Sequence, residues 1–210
     1  MDKRFAIFDM DGTLVDSMGY WHSLAEDYLA QKGILDVPAD FSQRLMSMTM
    51  AQGAELLIET FGLSDSVDEM IEEQHAIMAD HYRHDIPLKP GVKAYLQSLQ
   101  EQGVAMCVAS ATAEPLMEAC LTRLGVRNYF QFVLSCESIG VSKERPDIYH
   151  LAATRLEAKP GDIAVYEDAL HAVRTAKGAG YYVVAVYDEN AKDRWEEMKT
   201  LADESMIRWQ

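Results

Sequence analysis

Apolar residues in this chain gather into five short runs rich in valine, isoleucine, phenylalanine and tyrosine: Arg4–Phe8, Val104–Ala109, Phe132–Leu134, Ile163–Tyr166 and Tyr182–Tyr187. Short apolar runs bounded by turn residues read as buried strands. Helix-period patterns lie beside them at Val92–Gln102, Glu114–Leu124, Pro146–Leu156 and Leu170–Ala179. Gly103, Gly125 and Gly180 close three of these where a left-handed cap is needed. Strands alternating with helices predict crossover units and a parallel sheet. The interval from Asp16 to about Asp85 breaks the alternation. It has no strand signal and at least three helical patterns: Ser17–Lys32 ending at Gly33, Met50–Thr60 ending at Gly62, and Val67–His84 before Pro87. An ordinary connection is far shorter, so the interval reads as an inserted helical subdomain. The predicted fold is an α/β doubly wound parallel sheet formed by residues 1–15 and 86–210, with a helical insertion at 16–85.

Composition narrows the function. The 210 residues carry 34 acidic and 19 basic side chains, a net charge of −15. With no compensating basic cluster, nucleic acid and membrane surfaces are poor partners. A phosphorylated substrate stays open, because a bound cation inverts the local field. Cys107, Cys120 and Cys136 are scattered and lack CxxC spacing, against a disulfide framework or zinc site. The first apolar run is too short for a signal-peptide core, and no stretch is long enough to cross a bilayer. A cytoplasmic protein, monomeric or weakly dimeric, is expected.

Charge and burial conflict at the strand ends. The first run stops at Asp9-Met10-Asp11-Gly12-Thr13, the second at Ser110-Ala111-Thr112 and the fourth at Glu167-Asp168, with Lys143 in the loop after the third. Open parallel sheets bind ligands beyond the carboxyl ends of their strands, so the fold gathers these residues on one rim. A carboxylate there can attack phosphorus, and a second can protonate the leaving oxygen. Further carboxylates can hold Mg²⁺, while a hydroxyl and an ammonium bind phosphoryl oxygens. Without the cation and the lysine, four carboxylates would repel a phosphate dianion.

These segments resemble the haloacid dehalogenase superfamily, in the branch containing small-molecule phosphatases and β-phosphoglucomutase. Asp9-Met10-Asp11-Gly12-Thr13 matches its DxDGT motif, Ser110 its Ser/Thr motif, Lys143-Glu144-Arg145-Pro146-Asp147 a K-x-x-P-D stretch, and Glu167-Asp168 its terminal acidic pair. All four arrive in order over nearly the whole chain. The resemblance implies a helical cap in the insertion, Asp9 as nucleophile and metal ligand, and Asp11 as general acid/base with its backbone carbonyl on Mg²⁺. It also implies Asp168 and Glu167 as metal ligands, and phosphoryl binding by Ser110, Ala111 and Lys143. The chain departs from the pattern at Ala169 and Ala172, where Ser and Gly are common, and at Glu144, where proline is usual.

Asp11 argues against dehalogenase or phosphonoacetaldehyde hydrolase chemistry, whose family members generally lack that second aspartate. A mutase of the β-phosphoglucomutase type carries a histidine in its first cap helix and an arginine in the following loop. Here Trp21 takes the histidine place, with His22 one position late. No arginine falls around Met46-Ser47-Met48-Thr49-Met50-Ala51, and Arg44 lies upstream. The expected activity is a Mg²⁺-dependent phosphohydrolase acting on a small phosphorylated metabolite through an aspartyl-phosphate. A sugar phosphomutase is the alternative, and a non-catalytic binding protein a third reading that the complete acid set disfavours. Met46, Met48 and Met50 are expected to pack the cap's core, and His81, His84 and His171 to be helix-surface residues. Lys32 and Lys89 are expected to be exposed, with substrate contact the sharper alternative. Asp16 is a candidate helix cap or hinge residue. Cap closure is expected to pivot near Val15–Asp16 and Asp85–Lys89.

Overall fold

The computed structural model describes residues 3–38, 41–45, 48 and 50–209. The chain divides into two compact units, Met1–Asp16 with Ile86–Gln210, and Ser17–Asp85. In the first, strands β1 (Phe5–Phe8), β2 (Ala105–Ser110), β3 (Phe130–Ser135), β4 (Ile163–Glu167), β5 (Tyr182–Val186) and β6 (Glu204–Met206) form one sheet in the order β3-β2-β1-β4-β5-β6. Every pairing is parallel, with Phe8 opposite Val108 on one side and Tyr166 on the other. Chain order therefore reverses between β1 and β4, which is where such sheets bind ligands.

Successive side chains of a strand point to opposite faces, and each face finds its own cover. Ile7, Cys107, Ala109, Val165 and Val183 share a core with Ile148 and Ala152 of α8 (Asp147–Arg155), Val173 and Ala176 of α9 (Leu170–Gly178), and Met198 of α10 (Trp195–Leu201). On the opposite face Phe8 stacks on Tyr166 with ring centroids 4.3 Å apart, and Tyr166 on Trp209 at 5.7 Å. Tyr95, from α5 (Val92–Glu101), meets Trp209 edge-on and hydrogen-bonds the Tyr166 hydroxyl at 2.8 Å. Gly91 lets the chain end approach, because its φ is +91° and a Cβ there would lie 2.4 Å from the Trp209 carbonyl oxygen. The unit is completed by α6 (Glu114–Arg123) and the short α7 (Cys136–Ile139). Where the chain leaves and re-enters this unit, Val15 bridges Leu88 and the Asp16 N–H donates to the Pro87 carbonyl at 2.9 Å.

The second unit contains α1 (Met18–Gln31), α2 (Phe41–Leu45), α3 (Met50–Phe61) and α4 (Val67–His84). Tyr28, Leu29, Phe41, Ala54, Leu57 and Met70 form its core. A reciprocal cap starts α4: Glu69 N–H donates to Ser66 Oγ at 3.3 Å, and Ser66 N–H donates to Glu69 Oε2 at 2.9 Å. Met48 is exposed, so it does not pack this core as expected. Met46, Ser47 and Thr49 lie outside the described residues.

The apolar runs predict β1 to β5 within a few residues, but the sheet has a sixth strand. Glu204-Ser205-Met206 carries no apolar run because β6 is a short, solvated edge pairing only with β5. No helix among the described residues is long and apolar enough to cross a membrane. All three cysteines are buried free thiols.

Candidate active site

Four segments of the first unit bring their polar groups together beyond β1 and β4. Asp9 directly follows β1, and its N–H donates to the Tyr166 carbonyl at 3.0 Å, continuing the parallel ladder to the carboxylate. The chain then turns back, with the N–H groups of Leu14 and Val15 donating to the Met10 carbonyl at 2.9 and 3.0 Å. This turn requires glycine at position 12 for two reasons. Its φ is +74°, and a Cβ would lie 2.2 Å from Asp168 Oδ2. The next residue, Thr13, is fully buried and donates its hydroxyl to Asp168 Oδ1 at 2.8 Å. One turn thus presents Asp9 and shapes the seat of Asp168.

Lys143 is buried between carboxylates. Its Nζ donates to Asp9 Oδ1 and, at 2.6 Å, to Glu167 Oε1. Glu167 Oε1 also accepts the Tyr149 hydroxyl at 2.9 Å. Asp9, Glu167 and Asp168 each offer an oxygen within 4.8 Å of the others, the spacing of a metal-binding group. Asp11 belongs to a different set: its Oδ2 accepts the Thr112 hydroxyl at 2.5 Å and that of Ser110 at a long 3.5 Å. The two aspartates of the opening turn therefore have separate partners.

Electrostatics set the chemistry available. Asp9, Glu167 and Asp168 are each no more than 7% exposed, so their charges are poorly hydrated. Burial pushes the Asp9 carboxyl up to about 7; the Lys143 ammonium opposes the shift, and the Glu167 and Asp11 charges add to it. The Asp168 carboxyl is raised well above the usual range by burial, then by Asp9 and Glu167. At Lys143, burial favours the neutral amine, but Asp9 and Glu167 outweigh it and hold the proton on. One ammonium against three buried carboxylates leaves negative charge uncompensated. An all-oxygen group of this kind fits a hard divalent cation, whose charge would bring both raised carboxyls back down.

The structure thus brings together Asp9, Lys143, Glu167 and Asp168 as one cluster, with Ser110 and Thr112 on Asp11. Ala111 is exposed, and with Lys143 and His171 it lines an open hollow of about 400 Å³. Ala172 is fully buried in α9 and Ala169 occupies its N-cap position, so neither removes a carboxylate from the cluster. Arg145 pairs with Asp147 at 3.1 Å while Lys143 still reaches inward.

Other candidates are engaged elsewhere. Lys89 pairs with Asp188 at 2.6 Å and is largely buried, contrary to the expected exposed lysine. Lys32 pairs with Asp65 and Glu73 at 2.6 and 2.7 Å. His81 pairs with Asp85 at 2.8 Å and His84 with Asp80 at 3.5 Å. Trp21 Nε1 donates to the Tyr82 hydroxyl at 3.3 Å, and His22 is half-buried.

The sequence alone assigns no individual role to Tyr149, Thr13 or Thr112. The only signal for Tyr149 is its place six residues after Lys143. Thr13 is the last residue of the DxDGT match and Thr112 lies two residues beyond Ser110, yet a hydroxyl in a turn is usually a local cap.

A family model of haloacid dehalogenase-like hydrolases matches residues 6–186. The chain belongs to this family. A phosphorylated carbohydrates phosphatase of Thermotoga maritima is 26% identical over 174 residues, 83% of this chain and 80% of that protein. The β-phosphoglucomutase of Bacillus subtilis is 26% identical over 193 residues, 87% of this chain and 83% of that protein. Among solved structures, a Thermotoga maritima protein with the provisional name β-phosphoglucomutase superposes with a TM-score of 0.85 at 24% identity, covering 97% of this chain and 94% of that one. Phosphatase names recur among further curated relatives. The chain is an enzyme of the phosphatase kind within this family.

Proposed function

We propose that the protein is a Mg²⁺-dependent phosphohydrolase of sugar or polyol phosphates that works through an aspartyl-phosphate on Asp9. The observation that carries this reading is the division of labour in the first turn. Asp9 is held by Lys143 among the cation-seeking carboxylates, whereas Asp11 is held apart by Thr112.

In the first step an Asp9 carboxylate oxygen attacks phosphorus, a P–O bond forms, and the ester P–O bond breaks. Asp11 gives its proton to the departing alcohol oxygen. In the second step water attacks the phosphorus of the aspartyl-phosphate, Asp11 takes the water's proton, and the Asp9–phosphorus bond breaks to release phosphate. Lys143 and the Ser110 hydroxyl, with the backbone at Ala111, bind phosphoryl oxygens as charge moves onto them. Asp9, Glu167, Asp168 and the Asp11 backbone carbonyl would hold the cation, which offsets the repulsion between the attacking carboxylate and the phosphoryl group. Residues 17–85 act as the cap that selects the alcohol portion of the substrate.

The sugar and polyol class comes from relatives acting on phosphorylated carbohydrates and hexitols. The test is a panel of sugar, polyol and small-acid phosphates with Mg²⁺, scoring released phosphate and isomerised product together. Phosphate release from sugar or polyol phosphates is expected. Interconversion of a sugar 1-phosphate and 6-phosphate without release would replace this reading with a mutase.

A further inference from the structure

We propose that Tyr149 is a positioning residue, fixing Glu167 so that the cation group and the Lys143 ammonium keep their working places. The inference rests on the cation-dependent reading above. Tyr149 lies near the start of α8 and is fully buried. Its hydroxyl and the Lys143 ammonium converge on the same oxygen, Glu167 Oε1, at 2.9 and 2.6 Å.

Two donors on one carboxylate oxygen fix the orientation of the group and engage Oε1 rather than Oε2. They also share the charge of Glu167. With the phenol in place, Lys143 is only one of two donors there and can stay on Asp9. Without it, Glu167 would be a buried carboxylate neutralised by Lys143 alone, and the ammonium would be drawn toward it.

The phenol suits this role. A phenol holds its proton at neutral pH, and against a carboxylate oxygen it donates. The ring packs at a tilt on Tyr181, centroids 5.9 Å apart, and the Tyr181 hydroxyl meets His150 Nδ1 at 3.0 Å. Helix α8 therefore delivers the hydroxyl from a fixed ring. Outer partners of this kind commonly change metal affinity by about 10–100-fold when removed.

The experiment is a calorimetric titration of Mg²⁺ into the metal-free wild type, Tyr149→Phe, Glu167→Gln and the double variant. Phenylalanine keeps the ring and its packing while deleting only the hydroxyl. Tyr149→Phe is expected to weaken Mg²⁺ about tenfold. In the Glu167→Gln background the same change should weaken it less than about twofold, because the phenol acts through that carboxylate. Unchanged affinity in the single variant overturns the proposal. So does an equal loss in both backgrounds, which would mark Tyr149 as a general packing residue. If the wild type itself binds no Mg²⁺, the cation-dependent reading falls, and this proposal with it.

Discussion

Replacing Gly12 by alanine separates what the opening turn does for the backbone from what it does for the carboxylate cluster. The φ of +74° strains any residue bearing a Cβ, at a cost of about 1–2 kcal/mol. The new methyl would also stand 2.2 Å from Asp168 Oδ2, so the carboxylate must retreat by at least about 1.2 Å to reach ordinary contact. That retreat breaks its 2.8 Å bond from Thr13, a charged hydrogen bond contributing roughly 1.5–3 kcal/mol. Together these give a loss of about 2.5–5 kcal/mol. Gly103→Ala is the matched control. Its φ is +76° in the same unit, with nothing within 4 Å of the added Cβ, so it should lose only the strain contribution. Urea denaturation measures both variants, and calorimetric Mg²⁺ titration reports whether Asp168 still serves the cation. Equal destabilisation by the two substitutions, with Mg²⁺ binding intact in Gly12→Ala, would refute the reasoning.

Two further predictions concern the metal-free protein and the chain end. A carboxyl whose folded pKa exceeds its unfolded value makes the folded state bind that proton more tightly. For Asp9, raised from 3.8 to about 7, the stability this carboxyl contributes to the metal-free protein, read as wild type minus Asp9→Asn, should therefore fall as pH rises between those values, by at most about 1.4 kcal/mol per pH unit. Saturating Mg²⁺ should abolish this loss in denaturation curves; a wild type that gains stability relative to Asp9→Asn through the window would count against it. Gly91→Ala drives a Cβ into the Trp209 carbonyl and should cost about 2 kcal/mol or more. It should also diminish the near-ultraviolet circular dichroism from the Phe8–Tyr166–Trp209 stack, and an unchanged spectrum would contradict that packing.

What could be read from the sequence follows burial. Strands β1 to β5 are covered on both faces, so each leaves an apolar run that periodicity detects. Strand β6 exposes Glu204 and Ser205 on a solvated edge, and an edge needs no apolar signature. The chemical residues of the site are legible because charge at the end of a buried strand is costly and hence conspicuous. Their supports are not. Tyr149 looks like another core aromatic, and only the folded packing of α8 brings its hydroxyl to Glu167 at the end of β4. Thr112 likewise reads as a turn hydroxyl until β2 brings it to Asp11. The burial of Lys89 against Asp188 depends on a contact 99 residues distant in sequence, outside the range of any local pattern.

The central claim is a covalent phosphoryl group on Asp9, and trapping it tests the account most directly. Enzyme mixed with Mg²⁺ and a turned-over phosphate ester, quenched in acid and reduced with borohydride, should yield a peptide in which Asp9 has become homoserine. Asp9→Asn should remain folded, give no such product and lose turnover. Full turnover by Asp9→Asn, or reduction at another carboxylate instead, would contradict the account.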